Sequence, residues 1–266
     1  IMDLVDQTFH TGKGEDKMLN GSFVLPLNFG RPLSGLSLTG AGITKLRGKE
    51  AEAALLVFDT KDRTTTFGID DDLFNNGATV LGVWKGFYEI HGLPGYSGVL
   101  ASYSTRKSTS IDPDSFYIVP GQGVEIPEVK GSWAVSYVVD QKLWMDPADA
   151  SRNIGMFAWV GAADDNPNPI NWSGAISFEA NGLIPGRQLD SFGIGYFYTG
   201  LSSNFEDLIS ALPGPLAVRD LQGFEAYYKF GLTKWFDVTA DLQVLRPSQV
   251  GVDTAVIAGA RTKIRF

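Results

Sequence analysis

Charged and aromatic residues alternate with apolar ones near the end of the chain. Glu225 and Tyr227 stand on either side of an alanine, and Asp241, Arg261 and Lys263 recur in the same kind of pattern further on. Carboxylate and guanidinium groups hydrogen-bond hydroxyl groups, and aromatic rings pack against the apolar faces of ring-shaped ligands. Both capabilities suit neutral sugars, which carry many hydroxyl groups and no net charge.

The same alternation, extended over the chain, defines a set of residues that we expect to face a water-filled lumen. Their charges have both signs, so the lumen should lack the single-sign field that selects ions. The plainer alternative is that these charges only hold water and pair with one another. The candidate pore-lining residues on strands are Lys85, Glu89, Arg106, Asp140, Trp159, Glu179, Glu225, Tyr227, Asp241, Arg261 and Lys263. The same face is assigned Lys45, Arg47, Lys142, Lys229, Asp237, Arg265, Trp144, Phe157 and Phe197, and the opposite face Trp84, Tyr88, Trp133, Trp172 and Tyr198.

Signals for catalysis or metal binding are weak. Glu179 and Glu225 would suit a glycoside hydrolase if their carboxyl groups lay about 5–9 Å apart, but nothing in the sequence requires it. His10 and His91 have no partners at ligand spacing. The acidic run at residues 70–72 is either a solvated loop or a calcium site. We therefore predict no catalytic residue, no metal and no cofactor.

Alternation of apolar and polar residues predicts β-strands with one apolar and one polar face. Most of the predicted strands exceed the length of about five or six residues that is usual in soluble proteins. Short and longer connections follow one another, which is typical of a transmembrane β-barrel with short turns on one side of the membrane. The predicted strands are 34–46, 51–60, 77–91, 96–107, 131–145, 153–162, 169–183, 189–201, 222–233, 236–246 and 253–266, with a possible helical turn at 205–212.

Composition agrees with an all-β chain and excludes several protein classes. The 266 residues are 44% hydrophobic and 12% aromatic, and they include no cysteine. A disulfide scaffold and cysteine-ligated metals are therefore excluded. The net charge of −8 argues against a nucleic-acid partner, which would require a basic surface. No apolar run approaches the length of a membrane helix.

Several motifs resemble the carbohydrate-selective porins of the OprB type. They are the turn Gly182-Leu-Ile-Pro-Gly-Arg187-Gln-Leu-Asp190, the stretch Asp241-Leu-Gln-Val followed by Arg-Pro-Ser, and Gly259-Ala-Arg261 leading to a final Phe266. The resemblance extends from about residue 77 onward. It implies a sixteen-stranded antiparallel barrel in the bacterial outer membrane that passes sugars by facilitated diffusion.

About eleven complete strands are visible, which is an odd number that cannot close a barrel of this kind. We therefore expect residues 1–266 to be a single barrel domain that lacks its first four to five strands, in a processed or truncated chain. Counting back from Phe266 makes the irregular stretch Asp6–Pro32 the third outer loop. We expect residues 6–33 to fold inward and narrow the pore, with Asp16, Lys17 and Phe23 poised to meet a sugar.

The expected partners follow from this interpretation. They are mono- or oligosaccharides, outer-membrane lipid and lipopolysaccharide, and an assembly machinery that recognises Phe266, in a monomer or homotrimer. The alternative function is a soluble or surface all-β carbohydrate-binding module or glycoside hydrolase. A continuous exposed apolar row that includes Phe224, Phe230 and Leu242 would argue against that alternative.

Overall fold

The computed structural model describes residues 17–24, 26–30, 38–48, 50–62, 64–65, 71–214 and 216–266. In this part of the chain, eleven strands form one antiparallel sheet whose order follows the chain. The strands of the large sheet are β1 (Gly40–Arg47), β2 (Glu50–Asp59), β3 (Ala78–Ile90), β4 (Leu93–Thr109), β7 (Glu128–Met145), β8 (Asn153–Ala163), β9 (Ile170–Asn181), β10 (Ser191–Leu201), β11 (Leu221–Gly231), β12 (Phe236–Arg246) and β13 (Ala255–Ile264). A separate hairpin, inserted after β4, consists of β5 (Tyr117–Val119) and β6 (Gly123–Glu125). The prediction of an all-β antiparallel fold is confirmed.

Cross-strand pairing fixes which residues share a face, because directly opposed residues point to the same side. Tyr227 lies opposite Asp241, and Asp241 lies opposite Gly259. We call the side that carries Tyr227 and Asp241 the polar face. The opposite side, which carries Phe224 and Phe230, is the apolar face.

The sheet buries charged side chains and exposes large apolar ones, although its polar face also buries apolar residues such as Leu81 and Val83. On the polar face Glu225 and Asp140 are 0% exposed, whereas Trp84 and Ile194 on the apolar face are 53% and 44% exposed. Soluble sheets normally bury apolar side chains and leave charges in water. An exposed apolar face beside a buried polar one is the pattern of a sheet that faces lipid.

The turn between β3 and β4 differs from the prediction. The predicted strands 77–91 and 96–107 leave residues 92–95 as the connection, but only His91 and Gly92 join the strands, and Ile90 pairs with Leu93. Both turn residues have positive φ, 52° and 74°. Two-residue turns with positive φ at both positions match the right-handed twist of the strands they connect. The strand β4 therefore begins earlier than predicted and includes Pro94, which pairs with Glu89.

Two residues were assigned to the wrong face. The register shifts between Lys142 and Trp144, so Trp144 pairs with Ile154 and joins the apolar face. Lys45 pairs with Ala53, which lies opposite the apolar-face residue Trp84. A β-bulge adds one residue to one strand and inverts the faces beyond it, so alternation alone cannot reveal it.

Helices are few and short in the described ranges. The turn predicted at residues 205–212 overlaps a helix, Ser203–Ala211. The helix begins after Ser202, whose hydroxyl accepts a hydrogen bond from Phe205 N. A four-residue helix, Gly21–Val24, and a 3₁₀ turn, Leu27–Gly30, lie near the start of the described residues. No helix in these ranges is long and apolar enough to cross a membrane.

Candidate functional site

A segment that precedes the sheet lies against its polar face. We call residues 17–24 and 26–30 the covering segment. The helix Gly21–Val24 contacts β9 and β10, and the turn Leu27–Gly30 contacts β7, β8 and β9. Residues 31–37 and everything before Lys17, including Asp16, lie outside the described residues. The predicted loop is thus described only in part.

Glu225 is the acceptor that holds the backbone of the covering segment. Its two carboxylate oxygens accept hydrogen bonds from Leu19 N at 2.5 Å and from Asn20 N at 2.8 Å. The side chain of Asn20 donates to Gln243 Oε1 at 3.2 Å. Because Glu225 is fully buried on β11, its lone pairs are satisfied by the segment rather than by bulk water.

Lys17 connects the covering segment to two more strands. Its ammonium group forms an ion pair with Glu179, and its carbonyl oxygen accepts a hydrogen bond from Arg261. Glu179 also accepts a hydrogen bond from the hydroxyl of Tyr227 at 2.7 Å. The structure therefore brings together Lys17, Glu179, Tyr227 and Arg261, which lie far apart in the sequence.

Asn28 was not singled out by the sequence, yet it anchors the second half of the covering segment. Its side-chain nitrogen donates to Ala162 O at 3.0 Å, and its side-chain oxygen accepts from Ser173 Oγ at 3.0 Å. Its carbonyl accepts from Asn168 Nδ2 at 2.9 Å. Asn28 lies in an irregular stretch without periodicity, so the sequence held no signal for it.

Aromatic residues of the segment and the sheet also meet. The ring of Phe23 packs edge-on against Phe197, with centroids 5.5 Å apart and an interplanar angle of 86°. Phe197 lies in the same cross-strand row as Trp159, because Ala175 is opposed to both. Phe23, Phe197 and Trp159 are all buried. The predicted positions of Phe197 and Trp159 on the polar face are correct.

The remaining candidates are spread over the polar face. Asp140 lies in the row of Glu225. Lys85 lies in the row of Trp159, with its ammonium group 5.5 Å from the ring centroid of Tyr96. Asp241 accepts a hydrogen bond from Gln243 at 3.1 Å. The other candidates lie toward the ends of the strands: Glu89 opposite Pro94, Lys263 opposite Asp237, and Arg106 beyond Ser104.

The two carboxylates weighed as a hydrolase pair, Glu179 and Glu225, are both engaged by the covering segment. Within the described ranges, no group of histidine and acidic residues could hold a metal ion. Of the acidic run, Asp70 is outside these ranges, and Asp72 forms an ion pair with Lys61 at 2.6 Å.

Asp190 forms a separate structural network in the short turn after β9. Its carboxylate accepts hydrogen bonds from Arg187 Nε at 2.8 Å, Tyr228 Oη at 2.5 Å and Gly231 N at 2.9 Å. Burial acts to raise the pKa of Asp190, but the hydrogen bonds from Tyr228, Arg187 and Gly231 together outweigh it and lower that pKa. The Arg187–Asp190 pair is therefore structural.

We expect Asp190→Asn to lower the free energy of unfolding by about 1–3 kcal/mol at pH 7, because three donors lose a charged acceptor. A carboxyl group whose pKa is lower in the folded state stabilises above its unfolded pKa of about 4, and this contribution is lost as pH falls through the folded pKa. The difference between variant and wild type should therefore shrink in acid. Urea unfolding in detergent, followed by tryptophan fluorescence at neutral and acidic pH, measures it.

The matched control is Asp253→Asn, which removes an exposed carboxylate from another connection and should leave stability unchanged. Equal stability of Asp190→Asn and wild type at neutral pH, or a difference that grows in acid, would contradict the prediction.

Comparison with known proteins supports this architecture. The OprB porin of Pseudomonas putida in its high-pH structure is 19% identical, with a TM-score of 0.69 over 80% of this chain and 55% of that chain. Its low-pH structure is 16% identical, with a TM-score of 0.47 over 85% of this chain and 61% of that chain. The high-pH likeness shows the fold, and this chain spans little more than half the length of that protein. A comparison with curated protein sequences finds no match.

The family assignment comes from the sequence itself. The family model described as "Carbohydrate-selective porin, OprB family" matches residues 31–266. The matched stretch includes every strand of the large sheet. OprB porins are outer-membrane β-barrels and not enzymes, which confirms the predicted location and the absence of catalysis. The chain belongs to the OprB family of carbohydrate-selective porins.

Proposed function

We propose that the sheet is part of the wall of a closed, water-filled barrel through which sugars diffuse passively across the outer membrane. The observation that carries this proposal is the burial of charged side chains on one face of the sheet while the other face exposes large apolar side chains. Large apolar side chains such as Trp84 and Ile194 are exposed on one face, and charged and aromatic side chains line the other together with some aliphatic ones. Membership of the porin family supports the same function.

The covering segment is proposed to narrow this pore. Its anchors Glu225, Lys17 and Asn28 hold it against the polar face over strands β7–β13. Irregular backbone is tolerated at membrane depth only where it is buried in protein or lines a water-filled cavity. A segment held on the polar face meets that condition, and the amides of Leu19 and Asn20 find acceptors there.

The chemistry of the proposed constriction suits neutral polyols. Sugar hydroxyls can both donate to carboxylates and accept from guanidinium and ammonium groups. Trp159 and Tyr227 offer rings on the same face. The substrate-contacting residues of this proposal are Asp16, Lys17, Phe23, Lys85, Glu89, Arg106, Asp140, Trp159, Glu179, Glu225, Tyr227, Asp241, Arg261 and Lys263.

We expect proteoliposomes to swell several-fold faster in monosaccharides than in zwitterionic amino acids of equal size. Charged groups of both signs offer hydrogen bonds to hydroxyl groups, whereas a zwitterion must give up more of its hydration to enter a narrow polar path. A liposome-swelling assay measures both rates, with protein-free liposomes as the control. Equal rates would identify a general diffusion pore and contradict sugar selectivity.

The alternative of a soluble carbohydrate-binding module or glycoside hydrolase is not retained, because the family is one of porins. Contacts with lipid and lipopolysaccharide, recognition of Phe266 by an assembly machinery, and a monomeric or trimeric state stay predictions.

A further inference from the structure

Two glycines on the polar face lie where the covering segment comes closest to the sheet. A Cβ atom built on Gly195 of β10 would lie 2.5 and 2.7 Å from ring atoms of Phe23. A Cβ atom built on Gly161 of β8 would lie 2.7 and 2.9 Å from the side-chain oxygen and nitrogen of Asn28. Real Cβ atoms essentially never approach another atom so closely. Each glycine therefore leaves space that a side chain of the segment occupies.

At other glycines of the same face, the space beside the glycine is occupied by a different kind of neighbour. The space beside Gly193 is taken by the ring of Tyr227, and that beside Gly223 by the ring of Phe197. Both rings belong to directly opposed residues on the neighbouring strand. Of these four glycines, only the pair at positions 161 and 195 receives side chains from outside the sheet.

Glycine in the interior of a strand weakens it and often marks a close approach of another backbone or ligand. The hydroxyl of Ser136 also lies beside Gly161, 2.2 Å from the built Cβ atom, but a serine hydroxyl can turn to another staggered position. The ring of Phe23 and the amide of Asn28 are held by the packing and hydrogen bonds of the docked segment. The segment therefore accounts for both glycines better than the sheet does.

We propose that Gly161 and Gly195 are the docking sockets of the covering segment, and that they determine the depth at which it lies over the pore. Asn28 enters the first socket and Phe23 the second. This inference rests on the proposed function only in so far as the position of the segment affects sugar passage. As positioning residues, both glycines act through the segment and not by contact with sugar.

The sheet is expected to hold its place when a methyl group is added at a socket. The strands β8 and β10 are hydrogen-bonded to neighbours on both sides along their length, whereas the segment is held mainly by side-chain anchors. The segment is therefore the element that moves.

The test measures the position of the segment directly. Because the chain has no cysteine, spin labels can be placed at Leu19→Cys, which is exposed on the segment, and Lys234→Cys, which is exposed in a short turn. Pulsed electron paramagnetic resonance on the reconstituted protein then gives the distance distribution. We expect Gly195→Ala and Gly161→Ala each to shift this distribution by several ångströms or to broaden it clearly.

Gly174→Ala is the matched control. A Cβ atom on Gly174 would lie 3.1 Å from a backbone carbonyl oxygen of the neighbouring strand, the same distance as for Gly195, but its nearest neighbours include no atom of the segment. This variant should leave the distance distribution unchanged. If Gly174→Ala altered the distribution as much as Gly195→Ala, the effect would come from the sheet and the proposal would be overturned.

A double variant separates docking from general damage. If the methyl group added at position 195 acts by clashing with the ring of Phe23, then in a Phe23→Ala background the further change Gly195→Ala should have no additional effect on the distribution. An additional effect of the same size would overturn the proposal. Gly161→Ala supplies an independent test should the Gly195 variant fail to fold.

Conductance recorded on the same samples distinguishes the two proposals. A shifted segment with raised conductance supports both the sockets and the constriction. A shifted segment with unchanged conductance and sugar flux supports the sockets but contradicts the constriction. An unshifted segment in both alanine variants overturns the sockets and leaves the proposed function unaffected.

Discussion

Replacing residues 17–24 with a glycine–serine stretch of equal length is expected to raise the single-channel conductance several-fold and to weaken the preference for sugars. The replacement keeps the loop length but removes the ion pair of Lys17 with Glu179 and the packing of Phe23 on Phe197. Without these contacts the entropy of a free loop favours release from the wall. Recording in planar bilayers measures conductance, and liposome swelling measures the sugar preference.

The control for this replacement is the same kind of substitution at residues 120–122, which join β5 to β6 and are exposed. It changes a loop in the inserted hairpin, outside the large sheet, and should leave conductance unchanged. If the replacement of residues 17–24 also left conductance unchanged, the covering segment would not be the constriction, and the narrow point would have to be formed by the wall.

Glu225→Ala should release the segment in part and produce large fluctuations between conductance levels. The variant removes the acceptor of two backbone amides, those of Leu19 and Asn20. A hydrogen bond to a charged acceptor contributes about 1.5–3 kcal/mol. A change of about 1.4 kcal/mol alters a population tenfold, so the loss of both acceptors is enough to populate an undocked state. Single-channel recording shows such exchange as added current noise.

Two variants make this result specific. Glu225→Gln keeps one carbonyl oxygen as an acceptor, so its noise should be intermediate. Asp237→Ala removes another buried carboxylate of the polar face, one that is paired with Arg265 at 2.7 Å, and it should give quiet channels. Equal noise in Glu225→Ala and Asp237→Ala would mean that loss of any lumen carboxylate disturbs the channel, and the anchoring role of Glu225 would be rejected.

The sequence was sufficient for properties that repeat along the chain. Alternation around Glu225, Tyr227 and Asp241 predicted both strands and faces, since the period of a strand is a local property of the backbone. It placed Trp159 on the polar face and Trp84 on the apolar face correctly. Motifs such as the turn at residues 182–190 were enough to indicate the family.

Local irregularities of the strands could not be predicted from the sequence. The bulge that precedes Trp144 changes the register of β7 relative to β8. No residue type in that stretch predicts a bulge. The turn at His91-Gly92 was masked by Pro94 and Gly95, which are typical turn residues although they lie in β4. In both places the pairing partner, and not the strand's own sequence, decides the geometry.

Tertiary structure alone decided how the covering segment lies on the sheet. Lys17 forms an ion pair with Glu179. Hydrogen bonds join Leu19 to Glu225 and Asn28 to Ser173. Long stretches of chain separate the partners in all three pairs. The segment has no periodicity of its own, so its sequence predicts an irregular loop and nothing about its destination. Its position depends on acceptors and on empty space beside the glycines at positions 161 and 195, which become neighbours of the segment only after the strands have paired.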